Sequence, residues 1–197
     1  MSSTLAPFGL RPSYHPSGAI RSTAYKLVDA TQAAYGTALY KGLPVTLVTD
    51  GSIARAAEGA DWLGVLDCFE YTDANGVPRK APYLPATSTG ITDVVAFIYD
   101  DPAMIFEVQC SATVANTALG DQLTTFSDTS GYTEADGNTY TGQSKMAMSG
   151  TLATVGVQGL MIVVGIAQTA DNDWGDDYTI VKVRNARHQF NAVKVAI

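Results

Sequence analysis

Histidine and cysteine occur only twice each in this chain, and charged residues make up just 16% of it. His15 and His188, with Cys68 and Cys110 far apart, offer neither a CxxC pair nor a third nitrogen for a zinc site. The sequence has no GxxxxGK[ST] phosphate cradle and no GxSxG nucleophile elbow. Long apolar runs are missing too. Runs such as Leu160-Met161-Ile162-Val163-Val164, which stops at Gly165, fall far short of the roughly 18 residues that would span a bilayer. No basic segment followed by an apolar block opens the chain, so no secretory signal is expected. The expectation is a non-enzymatic protein with no catalytic residue, no metal, no cofactor and no membrane partner. Two cysteines in a chain of this size predict buried free thiols in a reducing compartment, with a Cys68–Cys110 disulfide as the alternative.

An apolar fraction of 46% is that of a globular protein and argues against disorder. The formal charge of −7 argues against a nucleic-acid-binding body. Its distribution is uneven. Residues 1–28 carry Arg11, Arg21 and Lys26 and no acid, and residues 182–197 carry Lys182, Arg184, Arg187 and Lys194 and no acid. All 19 acidic residues lie between Asp29 and Asp177. Basic ends on an acidic body favour docking onto an acidic surface, which a second copy of the chain would also offer.

The body reads as β. Val94-Val95-Ala96-Phe97-Ile98-Tyr99 is an apolar run closed by Asp100-Asp101-Pro102, and a proline cannot donate to a continuing ladder. Next, Ile105-Phe106-Glu107-Val108-Gln109-Cys110 alternates, with Phe106, Val108 and Cys110 on one face. Thr179-Ile180-Val181-Lys182-Val183-Arg184 does the same with Val181 and Val183 inward. Residues 43–48 and 63–69 are further strand candidates, separated by turn-forming Asp50-Gly51, Asn75-Gly76, Ser130-Gly131 and Asp136-Gly137. No window of 12 residues carries an amphipathic helical stripe. The fold expected is mainly β, an antiparallel jelly-roll-like sandwich or barrel. Segments 42–52 and 120–130 echo each other, as do Ile105–Val108 and Ile180–Val183; a duplicated strand–turn unit and chance both account for this.

Two acidic clusters invite chemistry. Asp100 and Asp101 could form a carboxylate pair, but ahead of a proline they read as turn formers and solvated charges. Asp171-Asn172-Asp173-Trp174-Gly175-Asp176-Asp177 resembles the start of a calcium loop yet lacks the later bidentate Glu. A polar strand connection anchored by Trp174 is the better reading.

The leader, APFGLRPSYHPSG, has neither period. Pro7, Pro12 and Pro16 stiffen it into extended geometry, Phe8, Leu10 and Tyr14 are suited to pockets, and Arg11 to a forked contact with a carboxylate. The expected division is an extended arm over 1–24 that lies on a neighbouring chain, then a β body over 25–187 and a basic end over 188–197. An arm folded back on its own core is the alternative, and Phe8, Leu10 and Tyr14 disfavour a disordered tail. Pro7, Phe8, Leu10, Arg11, Pro12, Tyr14, His15 and Arg21 are the candidate partner-binding residues.

The order APFGLRP, HPSG and IR, then YKGLPV at 40–45, DGSI at 50–53, LGV at 63–65, FEYTDANG at 69–76, YDDP at 99–102 and FEVQ at 106–109, resembles a family of small structural proteins of tailed bacteriophages. Asp171-Asn172-Asp173-Trp174-Gly175 and the basic end with Asn185 and His188 fit the same pattern. The resemblance implies a virion protein without catalytic residues. By analogy the expectation is a capsid cement, or head-decoration, protein made in the bacterial host cytoplasm and carried on the capsid exterior. Its expected partners are the major capsid protein and two further copies of itself in a homotrimer. A tail or neck protein and a carbohydrate-binding or hydrolytic β-sandwich are the alternatives.

Overall fold

The structure is a computed structural model that describes residues 4–27, 38–57, 59–85, 90–126 and 137–191. In chain order, the strands are β1 (Arg11–Tyr14), β2 (Thr23–Lys26), β3 (Leu39–Tyr40), β4 (Pro44–Leu47), β5 (Ile53–Arg55), β6 (Gly64–Thr72), β7 (Pro78–Ala81) and β8 (Tyr83–Leu84). They continue with β9 (Thr92–Tyr99), β10 (Ile105–Gln109), β11 (Gln122–Leu123), β12 (Gly137–Asn138), β13 (Gln143–Ser144), β14 (Met161–Ile166) and β15 (Ile180–Asn185). Among the described residues the only helical element is one 3₁₀ turn, Asn116–Ala118.

Two antiparallel sheets carry the fold. One runs β1-β10-β15-β14-β11; the other runs β2-β9-β6-β4-β5, with β7 also on β6. Their inner faces share one core, in which Trp62 meets Phe106 and Phe126 at ring-centroid distances of 6.2 and 5.5 Å. This is a mainly β sandwich, and the expected registers hold where both faces could be read. Phe106, Val108, Cys110, Val181 and Val183 are buried, while Arg184 is exposed. Gln109, expected on the outer face, is buried because residues 4–6 cover it: its amide accepts from the Ala6 N–H and donates to the Thr4 carbonyl.

The segments of the internal echo fall in different places. β4 lies inside one sheet and β11 at the edge of the other, while β10 and β15 are paired neighbours. The Asn75-Gly76 turn joins β6 to β7, with Gly76 at φ +76°. Ser130-Gly131 and Asp136 lie outside the described residues. Cys68 and Cys110 are both free thiols, and burial pushes Cys110 up to about 12.

The expected arm is a correction. Residues 7–14 are extended, but they lie on their own subunit. β1 pairs with β10, and the backbone ahead of it donates from Gly9 to the Met146 carbonyl and from Leu10 to the Gly42 carbonyl, at 3.0 and 2.9 Å. Glycine permits the approach: Gly9 has φ +71°, and a Cβ there would stand 2.7 Å from the Gly42 oxygen. The basic end is corrected likewise. His188 is buried, and Gln189 clasps both backbone polar groups of Leu47 with its amide, so residues 188–189 belong to the body. Residues 192–197, with Lys194, lie outside the described residues.

Candidate docking surfaces

The chain crosses between sheets twice at one corner. Because β1 pairs with β10 and β2 with β9, the β1–β2 link over residues 15–22 must lie beside the β9–β10 link over 100–104. Asp100 and Asp101 occupy that corner. Asp100 accepts from the Thr23 hydroxyl (3.0 Å) and the Tyr25 hydroxyl (2.7 Å). Asp101 accepts from the Ala103 N–H at 2.8 Å and stands 3.1 Å from His15 Nε2. The Ala103 N–H, ahead of His15 and Arg21, holds the Asp101 carboxyl below its ordinary value. Burial and the Asp100 hydrogen bond raise the Tyr25 phenol. The carboxylates fasten the leader on both sides of its link: the pair sits at a turn as expected, but as half-buried acceptors rather than as solvated charges.

His188 completes the corner from below. Its Nδ1 accepts from the Phe190 N–H at 3.0 Å, while Nε2 has no acceptor in good geometry, although the backbone of Asp100 and of Leu63 and the Asp100 and Asp101 charges act on the ring. Burial outweighs those groups and lowers the pKa below 6.5. A proton then binds the unfolded chain more readily than the folded one, so stability falls as pH drops below about 6.5 until the folded pKa is passed. The slope cannot exceed about 1.4 kcal/mol per pH unit for one proton. Denaturant unfolding between pH 7 and pH 5 should show this decline, and His188→Gln should flatten it. An unchanged slope in the variant would assign the effect elsewhere.

The eight candidate partner-binding residues divide sharply. Pro7 and Leu10 are buried in their own core. Phe8 is half-buried beneath the Arg11 guanidinium, which lies 4.7 Å from its ring centroid. Arg11 finds its carboxylate within the same chain, Glu107 at 2.6 Å. Burial pushes the Glu107 carboxyl up, but Arg11 and Ser13 more than offset it and leave it low. Pro12 is half-buried in β1, and His15 is tied to Asp101. Tyr14 (53% exposed) and Arg21 remain outward, joined by Ile20 (44%), which the leader reading passed over. Tyr14 ends β1 and Ile20 and Arg21 lie on the 15–22 link that follows it, so the three flank the corner held by Asp100 and Asp101 and are its outward knob.

A second surface was not legible from either end of the chain alone. On the outer face of the five-stranded sheet, the register sets Tyr14, Ile105, Arg184, Ile162 and Gln122 in one row. A parallel row runs Arg11, Glu107, Lys182 and Gly165. β10 therefore brings basic residues from the two ends of the sequence onto one face. A notch of about 430 Å³ opens beside it, lined by Pro102, Ala103, Ile162 and Arg184 among others.

The 171–177 loop joins β14 to β15. Asn172 spends its side chain on the Ala167 and Ile180 carbonyls and the Ile180 N–H, and an Asp176 carboxylate oxygen accepts from the Asp173 N–H. Trp174 packs half-buried against the core, as the strand-connection reading required. Among the described residues no group of three or more His, Cys, Asp or Glu side chains is placed to hold a metal.

No family model matches this sequence, and neither a curated protein nor a solved structure matches it.

Proposed function

We propose that this is a non-enzymatic virion structural protein, a capsid cement or decoration protein that binds the outside of a bacteriophage head through the Tyr14–Arg21 knob. The resemblance of its sequence segments to phage structural proteins supplies the context. The observation that carries the reading is the knob itself, an aromatic, an aliphatic and a basic side chain left outward beside and on a link fastened at both ends. A link already ordered loses less entropy on binding than a free tail. Each anchor that finds a pocket would contribute about 1–3 kcal/mol, and many copies on one shell multiply weak contacts into avidity. The protein acts in this reading as a rigid sandwich that presents the knob, and no arm reaches across capsomers.

The test is decoration of virion particles stripped of this protein. Tyr14→Ala combined with Arg21→Glu should lower occupancy at least ten-fold while leaving the thermal midpoint within about a degree, because both side chains are exposed. Full occupancy by the double variant would remove the knob from the mechanism. Imaging the virion locates the copies, and density confined to the tail or neck would replace the head assignment.

A further inference from the structure

We propose that the outer face of the five-stranded sheet is a contact between copies of this chain, and that it receives the acidic 171–177 loop of a second copy. The face holds Arg11, Lys182 and Arg184 against the single carboxylate of Glu107. Arg11, Lys41, Arg79, Lys80 and Arg187 each have a carboxylate partner within 4 Å; among the described residues Lys182 and Arg184, like Arg21, Lys26, Arg55 and Lys145, have none, and Lys182 and Arg184 are two of these that share one sheet face. The half-buried side chains of Ile105 and Ile162 flank Arg184, Ile180 lies beyond Lys182, and Val164, 38% exposed, is at the β14 bulge. A face that combines an excess of positive charge with partly exposed aliphatic surface suits a protein partner bearing carboxylates.

The second copy is the occupant whose charge is known. The chain carries −7 overall, and its 171–177 loop has Asp171, Asp173 and Asp177 exposed, with no basic residue from Gly165 to Val181. The loop is braced by Asn172, by the Asp173–Asp176 turn and by the Gly175 N–H on the Val114 carbonyl, so little order is left to impose on docking. The loop leaves the end of the sheet at Ile180, two residues along β15 from Lys182 and four, roughly 13 Å, from Arg184, and none of the Asp171, Asp173 and Asp177 carboxylates is within ion-pair distance of either. Its charge is available to a neighbour. The contact is head-to-tail, so it closes into a ring or continues as an open chain. It stands apart from the shell reading, since a monomer could also decorate a head.

Sedimentation velocity of the full chain from 1 to 200 μM tests the contact. Self-association in 50 mM NaCl should weaken at least ten-fold in 500 mM NaCl. Lys182→Glu with Arg184→Glu should each remain folded by circular dichroism and, combined, leave the chain monomeric. Asp173→Lys with Asp177→Lys should do the same. In an equimolar mixture the unaltered face of one double variant meets the unaltered loop of the other, so association should return at least as far as the mixed pair. A wild-type chain that stays monomeric throughout, association untouched by either pair of reversals, or a mixture that stays monomeric would each overturn the proposal.

Discussion

Removal of residues 1–20 is expected to unfold the sandwich rather than detach an appendage. The deletion takes Leu10, 1% exposed, out of the core and strips β1 from β10. It also uncovers Gln109 and leaves Glu107 without its guanidinium partner. Losing the Leu10 side chain alone costs about 2–5 kcal/mol by comparison with buried leucine truncations. The strand hydrogen bonds and the Met146 and Gly42 contacts of the leader backbone come on top of that. A domain of this size holds only about 5–15 kcal/mol in all. The deleted chain should therefore show lost near-ultraviolet dichroism, rapid proteolysis and a collapsed thermal transition. A truncated protein with the wild-type midpoint would mean that the leader's packing adds nothing. The same result is a warning for binding work: loss of decoration in such a deletion reports unfolding, and only point changes at the knob separate the two.

Phe106→Ala is expected to be among the most damaging single truncations in the described strands. Phe106 is 2% exposed and packs against Trp62, itself wedged between Phe106 and Phe126 where the inner faces of the two sheets meet. Removing the ring loses its transfer free energy and leaves a void that the paired β1 and β15 neighbours cannot close, for about 3–5 kcal/mol. Urea unfolding monitored by tryptophan fluorescence should show the midpoint falling with the slope unchanged. A near-neutral result would put Phe106 on the outer face and reverse the register of β10, turning Glu107 and Arg11 inward.

Strands were legible where apolar and polar residues alternate, since a period of two fixes which side faces the core. Ile105–Gln109 and Ile180–Asn185 announced themselves in this way, and Pro102 marked the end of the strand before them. The leader was misassigned for a physical reason. Prolines every few residues hide the alternation of a strand, while Pro12 tolerates an edge position where its missing N–H costs nothing. The same composition describes an arm on a neighbour and an edge strand at home. The partner of Arg11 was likewise invisible, because Glu107 is 96 residues away and meets it only through the β1–β10 register.

The sequence by itself determined the class of the fold, the inward faces of its alternating strands, the turn role of Asp100-Asp101 and the segregation of charge along the chain. These are properties of local spacing and composition. Only the tertiary structure decided that the leader belongs to its own sheet and that His188 lies buried beneath the Asp100 corner. It also decided that basic residues from opposite ends of the sequence share one surface with half-buried isoleucines and the exposed Val164. Such placements follow from which strands pair, and pairing is set by the packing of distant segments into a common core.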